Sequence, residues 1–120
     1  MVDVPWVPDR YDVIKLAKDP LGQGNEIDKN RLWIVLTRRN FNLRYKLATV
    51  IPLTTNLDAV DGKFLIMSWN FSGQKQSMAL AYQVMTVDYR AREGSSTNLK
   101  VSANDMKPIF NYLKGHLGFL

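Results

Sequence analysis

The chain's apolar residues fall in short runs separated by turn-forming clusters, and only the last run has a helical period. Runs this short suit strands better than buried helices, which need roughly ten residues or more. Leu32-Trp33-Ile34-Val35-Leu36-Thr37 is continuous and rich in strand formers, so it reads as a strand buried on both faces. Leu47 to Leu53 is a second such run. Tyr11 to Ala17 places Val13 and Lys15 on one face and Ile14 and Leu16 on the other. Asp19 to Asn30, with Pro20, Gly22 and Gly24, reads as a loop, and Arg38 to Arg44 as a polar connection. Asp61-Gly62 is a hairpin-turn signal ahead of a strand from Phe64 to Trp69. Met78 to Val87 reads as one longer strand, and Tyr89 to Val101 as another that breaks around Gly94. Near the end Ile109, Phe110, Leu113 and Leu117 share one helical face. Asn104 or Asp105 is the expected N-cap there, with Pro108 in the first turn and Gly115 as an early stop. The expectation is a mainly β chain of five to seven short strands with a C-terminal helix. That pattern fits a small β-barrel or sandwich, folded as a single domain over residues 1–120.

The chemistry open to such a chain is limited by what it lacks. Its 120 residues include no cysteine and one histidine, His116. Disulfides, zinc-ribbon sites, iron–sulfur clusters and a cysteine nucleophile are therefore excluded, as is a multi-histidine metal centre. The expectation is a protein with no metal and no cofactor, working with Arg, Lys, Asp, Glu, Thr, Ser or Tyr. No uncharged stretch approaches the roughly 20 residues that span a bilayer. Met1 to Arg10 carries Asp3, Asp9 and two prolines, unlike a signal peptide, so a cytoplasmic location is expected.

Lys+Arg 16 against Asp+Glu 11 gives a formal charge of +5, and it is not spread evenly. Lys29, Arg31, Arg38, Arg39, Arg44 and Lys46 fall in one stretch with no acid, interleaved with Phe41 and Tyr45. Cations for phosphates and rings for stacking on bases are what a single-stranded nucleic-acid groove requires. A solvated loop between two buried strands reads equally well. Glu26, Arg31, Thr54 and Thr55 form a second set, since pairing of the two apolar runs would bring their ends to one rim. A carboxylate, a guanidinium and a hydroxyl can cleave an RNA phosphodiester by base, phosphorane-stabilising and acid roles. A surface ion pair between Glu26 and Arg31 is the plainer alternative. His116 sits among glycines and suits a surface or packing role better than acid–base work. Trp33 and Trp69 lie in strand-like runs and read as core or interface.

In order, these segments resemble the MazF/PemK (Kid) family of toxins from bacterial toxin–antitoxin systems, from about Val7 to Gly118. Val7 to Ile14 is similar to the family's opening strand. Asp19-Pro20 followed by Gly24-Asn25-Glu26 and Arg31 resembles its "DP…G-x-E-x-x-x-x-R-P" loop, and Pro52-Leu53-Thr54-Thr55-Asn56 its "P-x-T-[TS]-[QN]" segment. Ala79 to Arg92 is similar to its "L-x-x-Q-x-[RK]-[ST]-[IV]-D-x-x-R" stretch. The resemblance implies an SH3-like (CcdB/MazF-type) β-barrel with a C-terminal helix. It implies a cytoplasmic homodimer that cuts single-stranded RNA, often mRNA, at short sequences without metal. The products are a 2′,3′-cyclic phosphate and a 5′-hydroxyl. By position, Arg31 and Thr54 match the catalytic arginine and threonine, and Glu26 a loop glutamate of acid–base or RNA-contacting role. Gln83 matches a glutamine near the RNA groove, and Thr55 is expected to bind RNA beside Thr54. Lys29, Arg38, Arg39, Arg44 and Lys46 are expected RNA contacts by their charge, with the Arg38–Lys46 loop holding RNA on the flank. A cognate antitoxin with an acidic, disordered tail would cover the groove. Two departures matter: Leu32 replaces the proline after the arginine, and Tyr82 stands where an aspartate base is common. The alternatives are a CcdB-like gyrase poison without nuclease activity and a catalytically inactive relative that binds RNA or antitoxin. The absence of a C-terminal Trp-Gly-Ile counts against the first.

Overall fold

A computed structural model describes residues 6–21, 31–67 and 76–118. Among them, seven strands are arranged in one antiparallel sheet: β1 (Asp12–Leu16), β2 (Leu32–Val35), β3 (Ala48–Thr54), β4 (Lys63–Leu65), β5 (Met78–Leu80), β6 (Met85–Val87) and β7 (Gly94–Lys100). The order across the sheet is β4-β5-β3-β2-β1-β7, with β6 also paired to β3. Helix α1 (Arg39–Tyr45) joins β2 to β3, and α2 (Ala103–His116) follows β7. The mainly β architecture with a C-terminal helix is as the sequence indicates.

The two-sided burial of β2 organises the core. Ile34 and Leu36 join Val13, Ile51 and Leu53 on one face, where Met106, Ile109 and Leu113 of α2 cover them. Trp33 and Val35 join Ile14, Leu16, Val50, Val87 and Tyr89 on the other, packed by Trp6 and Leu21. Successive strand residues point to opposite faces, so a continuous apolar run is the signature of this arrangement. Trp33 is fully buried as expected, whereas Trp69 lies outside the described residues.

Four expectations are corrected. Met78 to Val87 is two strands, broken by a 3-10 turn at Ala81–Gln83. Pro52 accounts for the break. Leu36 donates to Thr49 across β2–β3, so alternate pairs are bonded and the Trp33–Pro52 pair is a non-bonded one. Pro52 therefore turns its main chain toward the β5–β6 side with no N–H to give, and there the partner strand leaves the ladder. β5 pairs with Leu53 and Thr54, β6 with Ala48 to Val50, and the residues between are looped out.

Asp61-Gly62 does form a turn, with Gly62 at φ +82°, a conformation that favours glycine. It is not a hairpin: β4 pairs with β5, and β5 with β3. Arg38 to Arg44 contains a helix rather than a loop. α1 has no local side-chain cap; the Asp9 carboxylate accepts the Arg39 N–H from 30 residues away (2.9 Å). Finally, α2 is capped by Ser102, whose hydroxyl accepts the Asp105 N–H (3.2 Å), not by Asn104 or Asp105. The helix carries Pro108 beyond its first turn and runs through Gly115 to His116.

Candidate active site

Strand register places the two residues on which RNA chemistry would depend. Trp33 pairs with Pro52 across β2–β3. Carrying that register two residues further sets Arg31, at the entry to β2, across from Thr54, the last residue of β3. Both keep the parity of Trp33 and Pro52, so their side chains leave the same face. The pair is of the non-hydrogen-bonded kind, in which side chains approach most closely. Thr54 is also tied to the far side, pairing with Met78 of β5, and its hydroxyl accepts the Asn56 N–H (3.1 Å). Thr55, the next residue, is exposed.

Arg31 is held low in the rim. Its side chain is 13% exposed, and Nη1 lies 3.5 Å from Oδ1 of Asp19, whose own side chain is 6% exposed. Leu16 of β1 falls opposite Arg31 when the β1–β2 register is continued one step, and Asp19 follows three residues later. The Leu21 N–H also donates to Asp19 Oδ1 (2.7 Å). The other carboxylate oxygen, Oδ2, is buried with no hydrogen-bond partner among the described residues. In the sequence Asp19 stands out only as part of a motif. A carboxylate followed by proline just past a strand is the signal that could have marked it.

Beside Asp19 a cleft of about 540 Å³ opens between Lys18 and Pro20 on one wall and Met85, Thr86, Asp88 and Arg92 on the other. Gln83 is half-buried at the end of the 3-10 turn, and Tyr82 in the same turn is 40% exposed. His116 lies at the exposed end of α2, its ring stacked on Tyr112 at 5.5 Å.

The basic segment is divided. Glu26 and Lys29 lie outside the described residues. Arg38, Arg39, Arg44 and Lys46 are on and around α1, at the opposite end of the β2–β3 pair from Arg31. The intervening strand separates them by roughly 15 Å at about 3.3 Å per residue. They are exposed, with Arg44 over the Tyr45 ring (5.5 Å) and Phe41 against Tyr45 (4.8 Å). Beneath them α1 is closely anchored. Buried Asn42 donates through Nδ2 to the Pro8 and Thr37 carbonyls (2.8 and 3.0 Å) and accepts from the Thr37 hydroxyl (2.6 Å). Tyr89 donates its hydroxyl to the Asn42 carbonyl (2.8 Å), and burial raises its pKa. Among the described residues no group of three or more His, Cys, Asp or Glu could hold a metal ion, and no helix is long and apolar enough to cross a membrane.

A seven-stranded antiparallel sheet covered by a C-terminal helix, with an arginine and a threonine set opposite at its rim by register, defines a small, mainly β protein with a polar edge. Residues 9–117 match the family model of the PemK-like, MazF-like toxin of type II toxin–antitoxin systems, and the chain belongs to that family. Solved structures agree on the fold. MazF of Deinococcus radiodurans is similar with a TM-score of 0.75 at 22% identity, covering 95% of this chain and 99% of that one. A MazE–MazF structure from the same organism gives 0.73 at 20% identity, covering 96% of this chain and 100% of that one. No curated protein matches the chain in sequence.

Proposed function

We propose that the chain is a sequence-specific endoribonuclease toxin that cuts single-stranded RNA without a metal ion, and that a cognate antitoxin silences it. The observation that carries this reading is the β2–β3 register, which, carried two residues past Trp33–Pro52, sets Arg31 across from Thr54 on one face. In-line attack by the ribose 2′-oxygen forms a bond to phosphorus and breaks the bond to the 5′-oxygen. The 2′-hydroxyl loses its proton to a base, and the departing 5′-oxygen takes one from Arg31 or from solvent water. Arg31 neutralises the phosphorane and donates hydrogen bonds to it, as its planar, permanently charged fork suits. Thr54 donates its hydroxyl to the scissile phosphate. Glu26 serves as base or positions the substrate, the role that Tyr82 does not readily fill. Thr55, Gln83 and Lys29 contact the RNA near the cut. Lys18 and Arg92 line a cleft in which a neighbouring nucleotide fits, and Arg38, Arg39, Arg44 and Lys46 bind phosphates farther along.

Membership in a toxin–antitoxin family, and the MazE–MazF pairing in the Deinococcus structures, support a cognate antitoxin as partner. The exposed cations around α1 suit one with an acidic, disordered tail. A homodimer in the cytoplasm completes the reading.

The test is incubation with a long single-stranded RNA in EDTA, with mapping of product ends, alongside Arg31→Ala and Thr54→Ala. Cuts with 5′-hydroxyl ends that both substitutions strongly slow are expected. No cleavage of any RNA, together with gyrase-dependent DNA breaks, would replace this reading with a gyrase poison.

A further inference from the structure

We infer that Asp19 is the positioning residue for Arg31, fixing its guanidinium at the rim where the strand register, carried past Trp33–Pro52, sets Arg31 across from Thr54; this rests on the nuclease reading of Arg31. The carboxylate is itself held by the chain around it. Ala17 and Lys18 donate their N–H groups to the Glu93 and Arg92 carbonyls (3.3 and 3.0 Å), which pins the segment leaving β1 against the turn before β7. Pro20 locks the next φ, and the Leu21 N–H closes an Asx turn on Oδ1. Backbone pairing before it and a closed turn after it thus set the position of Asp19.

Its burial is costly for a structural acid. A carboxylate with a 6% exposed side chain, and with one oxygen that has no hydrogen-bond partner among the described residues, has given up water for little among them beyond Arg31 and one N–H. Replacing such a pair by apolar residues is often neutral or stabilising, so stability alone is a weak reason to keep it. What the pair does provide is direction. Arginine has four side-chain torsions, and a fixed anion beside Nη1 restricts them before any phosphate arrives. Pre-set geometry of this kind is worth most in a transition state, where a displacement of about 1 Å can cost roughly 10²-fold in rate.

Asp19→Asn tests this while retaining the acceptor for Leu21, and Asp19→Ser is a second variant should the first fail to fold. The expected result in single-turnover cleavage at saturating RNA is a rate loss of about 10²-fold with RNA affinity within about threefold of the parent. On an Arg31→Ala background the same change should cost nothing further, because a residue acting through another is non-additive with it. An undiminished rate, a loss confined to KM, or an equal loss on both backgrounds overturns the inference. A second readout does not require activity. The guanidinium N–H signals of Arg31, assigned by their loss in Arg31→Lys, should show hindered rotation in the parent and averaging in Asp19→Asn. Identical signals in the two proteins overturn the inference. A parent that cleaves no RNA removes the nuclease reading, while the guanidinium signals still decide whether Asp19 holds Arg31.

Discussion

The two ends of the β2–β3 pair both carry polar groups on one short stretch of chain, yet they treat them in opposite ways. At the α1 end the buried polar side chain, Asn42, has partners on both amide atoms, and Tyr89 adds a bond to its carbonyl. The charges there stand in solvent. At the other end the charged groups themselves are drawn in, and Asp19 keeps one carboxylate oxygen with no partner among the described residues. Fully bonded buried amides fix a structure; a buried, incompletely bonded ion pair adds little stability and is better explained by what it orients. The first end therefore reads as an anchor, and the second is where the proposed chemistry would sit.

The largest effect that would break this contrast is on chemistry. Arg31→Ala should lower the RNA cleavage rate by about 10³-fold, in the range of losing a principal oxyanion donor. It should also lower stability, since Asp19 is left buried without its cation, so single-turnover rates need to be taken well below the thermal midpoint. Asn42→Leu should do the reverse. It leaves the Pro8 and Thr37 carbonyls without their donor and should cost about 3 kcal/mol in chemical denaturation. The cleavage rate per folded molecule should hold. If Asn42→Leu impaired catalysis as strongly as folding, the two ends would not be separable.

The same contrast explains what was legible in the sequence. The strands follow from local pattern: β2 from a continuous apolar run, β1 from alternation. Arg31 and Thr54 were legible because each sits at the end of such a run, and antiparallel pairing brings ends together. What was not legible depends on partners distant in sequence. α1 has neither a helical period nor a local cap, being held by Asp9, Pro8 and Tyr89, and so it resembles a polar loop. The division of Met78–Val87 was hidden because it originates in Pro52 on the neighbouring strand. The basic stretch looked like one patch beside Arg31, but strand length carries its second half to the far end of the sheet.

A smaller effect sharpens the role of that far end. Replacing Arg38, Arg39 and Arg44 together by alanine removes three exposed cations without touching Asn42. If these cations follow the RNA, affinity for a long single strand should fall about tenfold, with the saturated rate unchanged. The slope of log affinity against log salt should flatten by roughly 0.7 for each phosphate that the variant no longer neutralises. An unchanged slope would confine the RNA track to the Arg31 end.

The smallest effect concerns how α1 is fastened. The Asp9 carboxylate accepts the N–H groups of Arg10 (2.7 Å) and Arg39 (2.9 Å), and these bonds, with the charges of Lys100 and Arg39, lower its pKa below the usual 3.8 despite partial burial. A depressed carboxylate pKa means that the folded protein prefers the ionised form. Its contribution is complete above the unfolded value and is lost as pH falls through the folded one. Asp9→Asn keeps the shape and one acceptor but removes the charge, so at pH 6 it should cost about 1 kcal/mol. Below the ordinary carboxylate range the parent also becomes neutral at Asp9, and the difference in stability between the two proteins should close. Other titrating groups are common to both and cancel. Because Asp9 meets α1 at its first N–H, amide exchange in Arg39–Tyr45 should report the change before the β2–β3 ladder does. A gap that stayed constant into strong acid would mean that α1 is held by Asn42 and Tyr89 alone, making the anchored end of the strand pair independent of charge.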